Sequence, residues 1–386
     1  MSDSCTPTFD QLSTALGFSC GEAGGLFELR SPFGLENWTL PVLEFMIVLG
    51  SVLALVYAIV RLRRHGDPTN VVVWFGATAY LFIIEPPLYF PAAFGIEAHV
   101  DTMFAHNLFT VEFMWGRLPL YIVAIYPLMA TMAFEIVRML GVFRKCGVIL
   151  GAVCVGFVHH AFYEIFDHLG PQLRWWEWST DNPMNQPMFD AVPIPSVVVF
   201  AALWPMSLAL CVQFFVGRQV DQGRRFTGLE LVWRTVVIGL LASVGTFVLP
   251  IPATVFGMGS DTVRGVLYLA ELVVLTLVAI PILIRRWRAL RVDESGEPVY
   301  SNGFVRVYSL VYLGTMAILW ASALPDYFSA VDGVTDNGDP IGNLWYTLAC
   351  FFIAIACVAA VFTIPRTSST GRHPEPDSAT QPHVDV

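Results

Sequence analysis

The densest chemistry in the chain lies in the run His159-His160-Ala161-Phe162-Tyr163-Glu164-Ile165-Phe166-Asp167-His168. On a helix, His160, Glu164 and His168 are four apart and stack along one stripe, and Asp167, three beyond Glu164, is expected on the same side. Such a stripe can bind a metal, pass protons, or keep a carboxylic acid ready for proton donation. His159 lies about 100° from His160 around the helix and reads as a packing residue.

Other ionisable residues sit in equally apolar surroundings. Glu85 falls within Ile83-Ile84-Glu85-Pro86-Pro87, and His106 and Glu112 precede an apolar run that also contains Glu135. Charged groups inside a bilayer are expensive and usually mark function. Glu85, His106 and Glu112 fall at a similar depth to the stripe, so the expectation is that they converge on it. Past the stripe comes Arg174-Trp175-Trp176-Glu177-Trp178. Trp175, Trp178 and, further on, Trp204 are the aromatic faces that would hold an apolar or cationic substrate. A plainer reading makes the tryptophans an interfacial belt, pairs Glu164 with Arg117 or Arg174, and pairs Glu135 with Arg138 or Arg144.

The elements that must position these residues are membrane spans. Hydrophobic residues make up 55% of the 386-residue chain and charged ones 13%, against about 25% charged in soluble domains. Apolar runs long enough to cross a bilayer recur throughout, and lipid forces such runs to be helical. The fold class expected is all-α, a polytopic transmembrane bundle with spans near 40–60, 70–92, 118–139, 147–167, 194–216, 230–250, 265–284, 305–325 and 343–364. Residues 1–38 form a segment outside the membrane, 39–365 the helical domain, and 366–386 a polar tail expected to be disordered. The first 38 residues lack a basic segment followed by an apolar one, so the first span itself is expected to act as the targeting signal.

Arg61, Arg63 and Arg64, then Arg144 and Lys145, then Arg218, Arg224 and Arg225, then Arg285, Arg286, Arg288 and Arg291 fall in alternate connections. The positive-inside rule makes that side cytoplasmic and puts the N-terminus outside a plasma membrane. The opposite connections are acidic, which accounts for the net charge of −10. No basic stripe lies outside the topology-setting clusters, so nucleic acid is not an expected partner; the bilayer is. Cys5 and Cys20 share the outer segment and could form a disulfide. No CxxC pair suggests a zinc ribbon. The single lysine, Lys145, leaves no buried amine for a retinal Schiff base.

The segment 164–204 resembles a stretch of the integral membrane carotenoid hydratases, which add water to the acyclic end of a long carotenoid. The shared features are Glu164, Asp167 three residues on, Trp176 with Trp178, Val192-Pro193, and Trp204 in the next helix. The resemblance implies that Glu164 or Asp167 protonates a double bond while tryptophans shield the resulting cation.

Three functions follow as expectations. The first is a membrane enzyme using acid–base chemistry on an isoprenoid or lipid, with Glu164, Asp167 and His160 catalytic, and Trp175, Trp178, Glu85, Glu112 and Trp204 binding substrate; no cofactor is assigned. The second is a transporter or a subunit of a lipid or cell-envelope assembly. The third is a metal-dependent oxidase or hydroxylase holding iron or zinc through His106, His160, Glu164 and His168.

Overall fold

A computed structural model describes residues 5–292 and 300–364; the tail at 366–386 and its two arginines lie outside them. Among the described residues, nine helices are long and apolar enough to cross a membrane. They are α2 (Thr39–His65), α3 (Thr69–Tyr89), α4 (Leu120–Met139), α6 (Val148–Asp167), α7 (Ser196–Asp221), α8 (Gly228–Phe256), α9 (Asp261–Arg291), α10 (Gly303–Ser329) and α11 (Leu344–Phe362). Two shorter helices, α1 (Pro7–Ala15) and α5 (Val142–Cys146), lie outside the spans. Every expected span coincides with one of the nine helices within a few residues at its buried centre. The chain is therefore a multi-pass membrane bundle.

Local chemistry sets the ends of these helices. Gly66, in the left-handed region at φ 67°, closes α2, the conformation only glycine adopts without strain. Asn302 and Asn343 cap α10 and α11 by accepting from the backbone N–H of Val305 and Tyr346, satisfying donors the first turn leaves open. Thr227 and Glu230 form a reciprocal capping box at α8.

The bundle has an inside and a rim. In α4, 89% of the central stretch is buried, against 28% in α9. Helices α4 and α6 form the interior, and α6 is flanked by α4, α7, α9 and α11. Glu135 near the inner end of α4 receives Arg138 at 3.4 Å, the Tyr300 hydroxyl, and Asn302 at 2.6 Å. Asp67, in the α2–α3 connection, receives Arg61 at 2.9 Å and Arg138 at 2.5 Å. Burial works to raise its carboxyl, but the two guanidinium groups override it and hold it well below the usual range. These groups form a structural polar core at the basic end, which is the plainer reading of Glu135.

At the acidic end the chain departs from a purely helical picture. Short strands there build three small antiparallel sheets: β1 (Phe27–Leu29) with β3 (Val111–Phe113) and β4 (Leu118–Pro119), β2 (Phe104–His106) with β5 (Trp176–Trp178), and β6 (Met188–Phe189) with β7 (Val192–Pro193). Strands this short bury little area and leave hardly any period-2 signal, so the sequence reads them as loop or as the approach to a span. Helix α1 lies over β2 and β5 and shares a small core of Phe9, Leu12, Leu16 and Phe18 with Ala105. A disulfide joins Cys5 to Cys20 beneath it.

Candidate functional site

The ribbon formed by β2 and β5 is the starting point. Its register pairs Phe104 with Trp178 and His106 with Trp176. Successive strand residues alternate faces, so these four rings share one face while Ala105 and Glu177 share the other. Ala105 meets α1; the ring-bearing face roofs a cavity of about 40 Å³. Water needs roughly 10–15 Å³ on this measure, so the cavity holds about three waters.

The walls come from the helices below. Helix α3 contributes Glu85, α4 contributes Ile122, Ile125 and Tyr126, α6 contributes Tyr163, Phe166 and Asp167, and α7 contributes Ser196 and Phe200. Glu85 precedes Pro86 and Pro87, which lack backbone donors and leave the carbonyls of Phe82 and Ile83 without their intrahelical partners. The Tyr126 hydroxyl donates to Glu85 Oε1. Ser196 Oγ donates to Asp167 Oδ2 at 3.0 Å. His106 stands between two tyrosine hydroxyls, with Tyr121 3.1 Å from Nδ1 and Tyr89 3.4 Å from Nε2. Burial pushes its imidazole down to about 3, so it is neutral at physiological pH.

Unused hydrogen-bonding capacity is found on both sides of α6: Glu164 Oε1 and Oε2 and His168 Nε2 lack a hydrogen-bond partner among the described residues, and the first cavity gathers four such atoms of its own. Among the described residues, Glu85 Oε2, Asp167 Oδ1, Trp176 Nε1 and Trp178 Nε1 are buried without a hydrogen-bond partner, and all four residues line the cavity. Leaving a polar group unpaired inside a protein costs about 1–3 kcal/mol each, so four such atoms around one void amount to a binding site for something polar. The unpaired atoms are two indole N–H donors from residues of the roof and two carboxyl oxygens from residues of the walls.

A second, smaller cavity of about 10 Å³ continues from the first and shares Ile125, Tyr126, Tyr163 and Phe200 with it. His159 and Trp204 line its far side. Part of α7 here, Ser196–Leu203, is wound as a π-helix, a local widening frequent at functional sites. His159 Nδ1 lies 2.7 Å from the Ala201 carbonyl and His160 Nδ1 3.0 Å from that of Val197. A carbonyl only accepts, so both rings carry the proton on Nδ1 and present Nε2 as an acceptor. His159 Nε2 has no hydrogen-bond partner among the described residues.

The other half of the α6 stripe faces elsewhere. His160 Nε2 accepts from the Tyr346 hydroxyl of α11 at 2.6 Å. His168 Nδ1 accepts from the backbone N–H of Asn343 at 3.2 Å, which puts its proton on Nε2, 3.2 Å from Glu164 Oε2. Glu164 is fully buried on this side. The arginines proposed for it are engaged elsewhere: Arg174 with Asp339 at 2.6 Å and Glu36 at 3.3 Å, while the Arg117 guanidinium lies over the Phe9 ring.

The expected convergence is thus split. Glu85, His106, Asp167 and Trp178 meet around the first cavity, and Trp204 closes the second. Glu164, His160 and His168 form a separate group against α11. A step of three residues turns a helix by 300°, leaving Asp167 about 60° from Glu164; with neighbours packed all round α6, that offset suffices to face a different one. Glu112 belongs to neither group. It pairs with Arg30 and accepts from the Phe109 N–H at 2.8 Å within the cap. Trp175 is fully buried beside Phe166 and donates to Thr39 Oγ1 at 2.9 Å, so it anchors the roof rather than lining the cavity.

Sequence reasoning grouped Trp176 with Trp175 and Trp178 without assigning it as a binding residue, and missed Tyr126, Tyr163, Ser196 and His159 as lining residues. The usable signals were Trp-x-Trp, which puts alternate residues on one strand face, and the series His159, Tyr163, Phe166, Asp167, which follows helical spacing. Among the described residues, no group of three or more His, Cys, Asp or Glu side chains is arranged to hold a metal ion; the set His106, His160, Glu164 and His168 is divided between two sides of α6. No family model, curated protein or solved structure matches the chain.

Proposed function

We propose that the chain is an integral enzyme of the plasma membrane that acts on an isoprenoid or other unsaturated lipid by acid–base chemistry, as a hydratase or cyclase does. The observation that carries this is the meeting of two carboxyl groups with open oxygens, Glu85 and Asp167, in a void walled by aromatic rings. No Lys or Arg lines that void, which suits a neutral acid working beside an apolar substrate.

The Asp167 carboxyl O–H gives its proton to one carbon of a double bond, whose π electrons form the new C–H bond. The cation left on the neighbouring carbon lies against the faces of Trp176, Trp178 and Phe166, where ring quadrupoles stabilise it. Water adds to it and releases a proton to the Glu85 carboxylate, so the net change is addition of one water. An internal double bond attacking the cation in place of water closes a ring and moves the cation to another carbon, which then loses a proton to the Glu85 carboxylate and forms a new double bond, so the net change is isomerisation. Because the cavity as formed takes about three waters, a lipid end enters only when the β2–β5 roof or the Phe200 side shifts. The resemblance of residues 164–204 to carotenoid hydratases supports this reading, because Asp167, Trp176, Trp178 and Trp204 all face the two cavities. It favours Asp167 over Glu164 as the acid. The basic loop clusters and the disulfide in the cap support an outside location for the site.

Lipid and pigment extracts of a deletion strain should lose a product that returns with the wild-type gene. It should not return with Asp167→Asn or Glu85→Gln variants expressed at normal level. Identical extracts from all strains would remove the enzyme reading. A second reading, a proton-conducting subunit of a transporter, draws on the inward continuation from Glu85 to His159; proton uptake by proteoliposomes that His159→Phe abolishes would favour it.

A further inference from the structure

A different surface of the bundle carries a binding site that the acid–base reading does not use. Helices α9 and α11 both pack on α6, and a gap remains between them. The gap is a cleft of about 380 Å³. Phe157 forms its floor, and Ile280, Leu283, Ile284 and Phe352 are among its walls. At the basic end Trp287 Nε1 donates to Thr363 Oγ1 at 2.8 Å, tying α9 to the end of α11 and closing the cleft there.

The chemistry changes abruptly at that end. Leu140 lines the cleft, and its carbonyl accepts from Arg286 Nε at 3.1 Å. A Cβ placed on Gly141 would lie 3.1 Å from Arg286 Nη2 and 3.9 Å from Arg144 Nη2, so two guanidinium groups meet over this glycine. Gly141 is left-handed at φ 67°, which is how the chain turns from α4 into α5 and brings Arg144 beside Arg286. Arg285, Arg288 and Lys145 neighbour these two residues in sequence and carry charge of the same sign. Converging like charges repel; Asp221 lies close enough to interact with Arg144, and an anion between Arg144 and Arg286 removes the repulsion that remains. An apolar cleft that ends under paired guanidinium groups matches one molecule in its two halves.

We propose that this cleft is a site for an anionic phospholipid, one acyl chain lying between α9 and α11 and the headgroup phosphate held by Arg286 and Arg144. Guanidinium groups suit phosphate because their planar N–H forks match its oxygens. The occupant is a bilayer lipid rather than free phosphate, because the apolar cleft would have no role in holding a bare ion. It is not a second protein chain, because the charge sits only at one end of an otherwise apolar cleft.

The test is native mass spectrometry of the full-length protein in detergent, titrated with phosphatidylglycerol or phosphatidylcholine of identical chains. The site predicts retention of phosphatidylglycerol over phosphatidylcholine by roughly tenfold or more, given about 1 kcal/mol per basic residue at a membrane surface. Arg144→Ala with Arg286→Ala should erase that preference while leaving weak retention of both lipids. Ala356→Trp, which fills the cleft, should lower retention of both. A melting curve for each variant separates lost binding from lost folding; if the arginine pair unfolds the protein, Arg144→Gln with Arg286→Gln is used in its place. Equal retention of the two lipids by the wild type would overturn the proposal. So would displacement of phosphatidylglycerol by millimolar inorganic phosphate, or a dimer whose formation the tryptophan blocks.

Discussion

Asp167 and Glu164 are three residues apart on one helix and both fully buried, yet their surroundings give them different work. Asp167 shares a void with Glu85 and two indole donors, whereas Glu164 sits among His160, His168 and Tyr346. The account predicts that Asp167→Asn lowers product formation by about 10²-fold or more, the usual contribution of general acid catalysis. Glu164→Gln keeps the side chain's size and should leave the rate within about threefold, an allowance far below that contribution. Quantitative product analysis of the two variants at equal expression checks this; a larger loss in the Glu164 variant would transfer the acid role to the α11 side. At this scale the sequence was a partial guide. It marks Glu85, Asp167 and Trp178 because ionisable and aromatic residues in apolar runs stand out. It does not say which way each points, because a rotation of 60° or a choice between Trp175 and Trp176 is decided by neighbours the sequence does not locate.

The β2–β5 ribbon is the element that makes the site, and it depends on Gly170. A Cβ on Gly170 would lie 2.0 Å from the Trp176 ring, so even alanine must displace that ring. Gly170→Ala is expected to destabilise the cap by about 1–3 kcal/mol through overpacking and to move Trp176 from the cavity. Loss of product with the α-helical circular dichroism unchanged is the expected result; full activity would mean that the roof tolerates an open position. The same element carries a pH dependence. Burial pushes Glu177 and Glu112 up to about 7 each, against the pull of Arg174 and Arg30. Both carboxyls bind protons more tightly in the folded cap than in an unfolded chain, where the value is 4.5. The cap's stability is therefore greatest below about pH 4.5 and falls as pH rises through about 7, by on the order of 1–3 kcal/mol. Hydrogen exchange in strands β2, β3 and β5, corrected for intrinsic rates, should be slower at pH 5 than at pH 8; equal protection would contradict this. Apart from the Trp-x-Trp alternation of β5, the sequence carries little sign of these strands, whose two or three residues each are defined by pairing with distant partners.

Across the whole molecule the bundle was legible because the bilayer imposes its rules on long stretches. Twenty apolar residues and alternating basic loops are redundant signals, so all nine spans emerge from the chain alone, even the last, which follows an Asp-rich connection. The convergence of α3, α4, α6 and α7 on one void was not legible, since it depends on which helices pack together. The cap at the acidic end, with α1 lying over the ribbon, roofs that void at one end of the bundle. The proposed enzymatic function rests on proton transfer from this cavity to a carbon of the substrate. The most direct measurement is to incubate membranes holding the wild type or Asp167→Asn with an extract of the deletion strain in D₂O, and to follow carbon-bound deuterium in the product by mass spectrometry. The account predicts one solvent deuterium on carbon per turnover for the wild type and none for the variant. A product formed without solvent deuterium, or formed equally by both proteins, would contradict it.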